Sequence, residues 1–188
     1  MTAPKPTHRL AKEADLPALH VLMNRAISAF LPDFLSPEQV EASFEIMGVD
    51  SRLIADDTYF MVFDGDELAG CGGWSRRATL FGGDHTSGRN PRLLDPKTEA
   101  ARVRAMYTDP DHGRKGVGRL ILSLCEDAAR AEHFTRVELA ATAAGVPLYE
   151  ACGYKPMRAW DEITSKGVPV PLVLMGKGIT KESHGRVR

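Results

Sequence analysis

The stretch MYTDPDHGRKGVGRLILSLCEDAA, residues 106–129, passes from an extended run through a turn into a helix. Asp109-Pro110 makes the turn, and Gly113, Gly116 and Gly118 stand directly before residues with helical spacing. Val117, Leu120, Ile121, Leu124, Cys125 and Ala128 recur at intervals of three and one, forming a single stripe, with Arg119, Glu126, Asp127 and Arg130 outside it. A strand that feeds a helix through glycines makes an anion site. Glycine lets the backbone approach an oxyanion with no Cβ in the way, and the first N–H groups of a helix have no partner inside it. Arg114, Lys115 and Arg119 add positive charge at the same place.

Upstream, residues 99–108 alternate with period two. Ala101, Val103, Ala105 and Tyr107 are predicted on one face of a strand, and Arg102, Arg104, Met106 and Thr108 on the other. Residues 80–96 contain the polar run GGDHTSGRNP, long enough to predict a substrate-facing or mobile loop. The aromatic and β-branched residues 59–63, the turn Asp64-Gly65-Asp66 and residues 68–77 predict a hairpin. Nearer the start, residues 7–13 read as a short strand. Asp15 is a predicted N-cap with Pro17 just inside, and Leu19, Leu22, Met23, Ala26, Ile27 and Phe30 share one helical face that Pro32 ends. Ser36-Pro37-Glu38 opens a second helix running to about Met47, with Gly48 as its stop. Downstream, residues 136–140 predict a strand and residues 147–152 a short helix stopped by Gly153. Residues 168–175 predict a last strand, whose Pro169 and Pro171 favour a sheet edge.

The 188 residues, 43% hydrophobic and 26% charged, suit one domain with one sizeable core. Lys plus Arg number 24 against 25 Asp plus Glu, a net charge of −1, so no overall field attracts nucleic acid or an anionic membrane. The apolar runs fall far short of the roughly 18 residues of a spanning helix, and the first residues do not read as a signal peptide, so a cytoplasmic chain is expected. Cys71, Cys125 and Cys152 lie far apart with no C-x-x-C pair, and read as small buried side chains rather than metal ligands. No metal is expected.

Phosphate-binding motifs differ in spacing. A Walker A loop requires Ser or Thr after its Lys, whereas Lys115 precedes Gly116. A dinucleotide fingerprint would use Gly116 and Gly118, with Glu138 twenty residues further on as the ribose-binding acid, but Ile121 occupies its third glycine position. That leaves a dinucleotide-binding oxidoreductase as a weaker alternative.

The segment Gly113-Arg114-Lys115-Gly116-Val117-Gly118 resembles the Gln/Arg-x-x-Gly-x-Gly/Ala pyrophosphate loop of the GNAT superfamily of acetyl-CoA-dependent N-acetyltransferases, with Gly113 in place of Gln or Arg. Thr142, Gly145 and Leu148-Tyr149-Glu150-Ala151-Cys152-Gly153-Tyr154 are similar to that family's Asn-x-x-Ala-x-x-Leu-Tyr-x-x-x-Gly-Phe/Tyr segment. The order of elements agrees as well. The resemblance implies an α/β fold of α+β type: a mixed, mostly antiparallel central sheet flanked by helices, with the fourth and fifth strands splayed apart. Residues 1–188 would form one acetyltransferase domain, its core at about 7–177 and a flexible tail at 178–188.

It also implies acetyl-CoA as cosubstrate and direct transfer of its acetyl group to a primary amine, on a small molecule or a peptide, in a ternary complex. The cofactor-binding residues carried over are Met106, Tyr107, Thr108, Gly113, Arg114, Lys115, Gly116, Val117, Gly118, Arg119 and Thr142. The Met106 backbone N–H would polarise the thioester and stabilise the oxyanion. Tyr149 would protonate the departing thiolate as general acid, since a phenol of pKa about 10 can donate to a thiolate whose acid has a pKa of roughly 8.5. Glu99 and Asp33 are the carboxylates considered as a base for the amine, and either also reads as an ordinary exposed acid. A regulatory module that binds acyl-CoA without turnover is the other alternative. A homodimer stays open, since no motif speaks to oligomeric state.

Overall fold

The computed structural model describes residues 5–180. Residues 181–188, most of the tail expected to be flexible, lie outside the described residues. At the centre is the expected hairpin: β2 (Tyr59–Asp64) turns at Gly65, where φ is +61°, into β3 (Glu67–Ser75). Only a residue at ease in the left-handed region makes this two-residue reversal without strain. Outside it lies β1 (Thr7–Leu10), shorter than expected, followed by a 3₁₀ turn at Glu13–Asp15. The Asp15 carboxylate accepts from the Lys12 N–H and binds Arg9, and makes no side-chain cap to helix α1 (Leu16–Phe30), correcting its predicted role. The next helix, α2 (Pro37–Ile46), begins as expected, Ser36 and Gln39 forming a reciprocal capping box. A short helix that the pattern did not reveal, α3 (Ser51–Ala55), follows.

Next come β4 (Ala101–Thr108), α4 (Val117–Ala131), β5 (Arg136–Ala141), α5 (Val146–Ala151), β6 (Lys155–Ile163) and β7 (Pro169–Gly178). All seven strands form one sheet in the order β1-β2-β3-β4-β5-β7-β6, antiparallel everywhere except between β4 and β5. Helix α4 covers one face over a core that includes Ile121, Cys125, Leu139 and Met175. Helices α1 to α3 cover the other, with Leu19, Ile27, Leu53 and Tyr59 inside.

Four expectations change. The last strand is not at an edge: β7 lies between β5 and β6. Its pairs with β5 run only from Val173 to Gly178, so Pro169 and Pro171 sit past the end of β5, where the missing N–H breaks no ladder on that side. The stripe of α4 is rotated from its expected position. Leu120, Leu124 and Ala128 are half-buried, while Leu122, Ala129 and Glu126 are buried, the Glu126 carboxylate accepting from Lys177 Nζ at 2.9 Å and from the Tyr154 hydroxyl at 3.1 Å. The core extends past residue 177, since Ile179 is buried and its N–H donates to the Thr135 carbonyl. The two-faced alternation of β4 also fails, for a reason central to the site.

Candidate active site

Strand β4 keeps its alternation only as far as Arg104. On β3, Cys71 pairs with Tyr107 and Gly73 with Arg104, so Ala105 and Met106 together face the single residue Gly72. This is a β-bulge, with Ala105 at φ +50°. The Tyr59 hydroxyl holds it by donating to the Ala105 carbonyl at 2.7 Å. Across the bulge the faces exchange. Val103 packs on the α4 face, but Ala105 and Tyr107 pack on the opposite face, and Met106 takes their expected place above Gly72. A Cβ on Gly72 would come within 2.8 Å of the Met106 sulfur, so glycine is what makes room there.

Met106 therefore has no partner in the ladder to β3. On its other side, β4 pairs with β5 only at Ala101 with Val137 and Arg102 with Glu138, after which the strands part. The result is a slot through the sheet, open where backbone polar groups lack partners. Val103, Met106, Leu139 and Tyr149 line it on the α4 face. Ile46, Phe81, Ala105, Tyr107 and Leu172 line it on the other. Thr142 also lines the slot, its carbonyl accepting the N–H groups of Gly145 and Val146 at the start of α5.

At the α4 end is the glycine loop. The backbone N–H groups of residues 114–119 have no protein acceptor among the described residues, so they form a cradle of free donors where the helix dipole favours an anion. Gly116 caps the helix at φ +82°, with nothing near the place of a Cβ. Arg114 is also left-handed, at φ +63°. Gly118 has a different reason to be glycine. A Cβ there would come within 2.6 Å of Leu148, so the residue brings α5 against α4. Gly113 has ordinary backbone angles and room for a side chain, and Val117 is buried against Gly70. Arg114, Lys115 and Arg119 are exposed. Arg25 ties down the turn before the loop, reaching Asp109 at 3.2 Å and Asp111 at 2.8 Å.

The four tyrosines separate into two kinds. Tyr59, Tyr107 and Tyr154 donate their hydroxyls, to the Ala105 carbonyl, the Gly48 carbonyl and Glu126 respectively. Among the described residues the Tyr149 hydroxyl has no such partner, although its ring is 9% exposed and lines the slot. Burial pushes its phenol above the ordinary tyrosine range, so it keeps its proton at neutral pH.

Past the slot, a clasp holds the wall on the far face. Arg104, 3% exposed, gives its guanidinium to Asp50 at 3.0 Å, to the Gly82 carbonyl at 2.6 Å and to the Thr79 carbonyl at 3.3 Å. Arg89 reaches Asp50 from the same loop, and Asp84 accepts the Ser51 N–H and hydroxyl. The long polar loop is thus stapled to α3, and of its residues only Leu80, Phe81 and Gly82 line the slot.

The structure brings together Met106, Tyr107, Thr142 and Tyr149 and puts the cradle beside them on the α4 face, but it does not bring Glu99. Glu99 lies in the turn before β4, and the stretch from Ala101 to Met106 alone spans about 16 Å. Arg92 and the Asp95 N–H hold its carboxyl at about 2. Arg102 and Arg104 also pair with carboxylates, Glu138 and Asp50. Sequence reasoning missed residues 46–48, Asp50, Leu139 and Leu172. Arg104 carried one signal, as one of two charged residues in a strand whose other members are uncharged.

The profile of the Acetyltransferase (GNAT) family matches residues 23–154. Among curated protein sequences none matches. Among solved structures, a GCN5-related N-acetyltransferase from Rhodopseudomonas palustris is similar with a TM-score of 0.69 at 16% identity, over 95% of this chain and 98% of that one. A putative acetyltransferase from Salmonella typhimurium, solved with acetyl-CoA, has a TM-score of 0.61 at 17% identity over 98% and 100%. The ribosomal-protein-S18-alanine N-acetyltransferase of Escherichia coli has 0.57 at 18% identity over 96% and 98%. With splayed strands, a bulged fourth strand and a glycine cradle in place, and with the family profile spanning both motifs, the chain belongs to the Acetyltransferase (GNAT) family.

Proposed function

We propose that this protein moves the acetyl group of acetyl-CoA directly to a primary amine in a ternary complex, with no covalent acyl-enzyme. The observation that carries the reading is Tyr149, which lines the slot beside the Met106 backbone left out of the β3 ladder and whose hydroxyl has no hydrogen-bond partner among the described residues. Residues 114–119 hold the pyrophosphate by their N–H groups, with Arg114, Lys115 and Arg119 screening its charge. The open edge of β4 pairs with the amide groups of the pantetheine arm. Met106 N–H donates to the carbonyl oxygen as negative charge develops there, and Tyr149 gives a proton to the leaving sulfur. Direct transfer is supported by the lining, which among the described residues holds no Cys or Ser nucleophile. Cys71 lies buried elsewhere with its thiol pushed up to about 12.

Thermal denaturation with acetyl-CoA and with NAD tests the cosubstrate. Acetyl-CoA should raise Tm and NAD should not; the opposite result would support the oxidoreductase alternative. Gly116→Asp keeps a residue type tolerant of the left-handed region but puts a negative charge in the cradle, so it should abolish the acetyl-CoA shift. Stabilisation without CoA release for any amine would point to a binding module instead.

A further inference from the structure

Building on that reading, we propose that the acceptor is a weakly basic primary amine on an apolar body, taken up as the neutral amine, and that the described residues lining the slot supply no base to deprotonate an ammonium. The wall of the slot on the far face includes Ile46, Met47, Phe81 and Leu172. None of these side chains accepts a hydrogen bond or carries charge. Among the described residues lining the slot there is no Asp, Glu or His. The one charged side chain there is a cation, Arg104, already bound by Asp50 and two carbonyls. Tyr107 is likewise committed, to the Gly48 carbonyl. An ammonium entering here would lose its water and find no counter-charge, whereas an apolar body would gain by burial.

The proton balance leads to the same acceptor. The lone pair of a neutral nitrogen forms the C–N bond to the thioester carbonyl carbon, and the C–S bond breaks with its electrons on sulfur. Tyr149 gives its proton to that thiolate, and its oxygen takes one proton from the newly acylated nitrogen. The products are a secondary amide and a free thiol, with Tyr149 restored and no proton left over. An ammonium would bring one proton more, and among the described residues lining the slot no carboxylate or imidazole receives it.

Basicity then becomes selectivity. An α-amine of pKa about 7.8 is neutral in about one molecule in seven at pH 7, against about one in 2,500 for a lysine amine at roughly 10.4. The ratio is about 300-fold at pH 7 and about tenfold smaller at pH 9.

The test is CoA release from acetyl-CoA between pH 6.5 and 9.5 with phenylalanine amide, 2-phenylethylamine and Nα-acetyl-lysine amide as acceptors. At pH 7, kcat/KM for phenylalanine amide should exceed that for the lysine probe by at least about a hundredfold. The lysine probe's kcat/KM should rise about tenfold per pH unit from 7 to 9. 2-Phenylethylamine has the same ring on a strongly basic amine, so it should trail phenylalanine amide at pH 7 and close on it by pH 9. Three results would each overturn the proposal: a lysine profile that plateaus below pH 8, equal use of the two ring-bearing amines at pH 7, or acetyl-CoA stabilisation with no turnover of either. Loss of both stabilisation and CoA release would sink the transferase reading itself.

Discussion

On the α4 face of the sheet, the anion cradle is built from six consecutive residues, 114–119, while on the opposite face the wall of the slot is assembled from residues 46–48, residues 80–82 and Leu172. The first mouth needs only a helix start and a glycine that tolerates φ of +82°. The second depends on a buried ion pair, Arg104 with Asp50, between residues 54 positions apart. The comparison separates two kinds of construction. The cradle is made by the backbone of consecutive residues, so its geometry is local to the chain. The far wall is made by side chains from distant segments, whose positions are set by whatever holds the loop.

The slot joins the two mouths, so Tyr149 gives the sharpest test. Tyr149→Phe keeps the ring and its packing beside Tyr154 but removes the proton donor. kcat should fall by about 10² to 10⁴, with acetyl-CoA affinity nearly unchanged in the same preparation. Equal loss of affinity and stability would show that the hydroxyl serves packing, and that both mouths rely on it.

Arg104→Met should break the far mouth alone. Removing the guanidinium strips Asp50 of its buried partner and two carbonyls of their donor, at a cost of about 3 kcal/mol, softened by Arg89, which still reaches Asp50. Denaturant unfolding should show that loss, and KM for an accepted amine should rise while the acetyl-CoA thermal shift remains. A lost acetyl-CoA shift would mean that the two mouths are not separable.

Gly118→Ala probes the near mouth through its packing rather than its charge. The added methyl meets the Cδ2 tip of Leu148 at 2.6 Å, so Leu148 must change rotamer or α5 must move back, at about 1 to 2 kcal/mol. Tyr149 travels with α5, so kcat should fall alongside Tm, and unchanged turnover would detach Tyr149 from the helix contact.

The smallest effect belongs to a place that serves neither mouth. Asp15 has its carboxyl held at about 2 by Arg9 and the Lys12 N–H, below the roughly 3.9 of an unfolded chain. The unfolded chain thus binds more protons in that window. The stabilisation is complete above about pH 5 and is lost as pH falls through the folded value near 2. Asp15→Asn should be less stable than the parent by under about 1 kcal/mol at pH 7, Arg9 being half-exposed, and the gap in Tm should close toward pH 2. CoA release should be unaffected.

The period-two and 3.6-residue patterns located the hairpin, α1, α2, α4 and β5, because hydrophobic spacing reports which face of an element is covered. Glycine before a helix likewise announced the cradle, a feature completed within a few residues of chain. Motif spacing carried Tyr149, Met106 and Thr142 to the slot. The faces of β4 were misread, since a bulge at Ala105 inserts a residue and its cause, the Tyr59 hydroxyl, lies 46 positions away. The place of β7 was misread because prolines exclude a strand only from the stretch they occupy, and where β5 ends is not written near Pro169.

Glu99 shows the same division for the site. A carboxylate at a strand start gives no sign along the sequence of which partner it meets, and Arg92 takes it. The sequence by itself determined the elements, the anion cradle and the resemblance that pointed to Tyr149, all of which depend on neighbours along the chain. Only the tertiary structure decided which face each residue of β4 presents, that a bulge leaves Met106 out of the ladder to β3, and that the far wall of the slot is apolar and without a carboxylate among the described residues. Those depend on contacts between segments tens of residues apart, which no local period records.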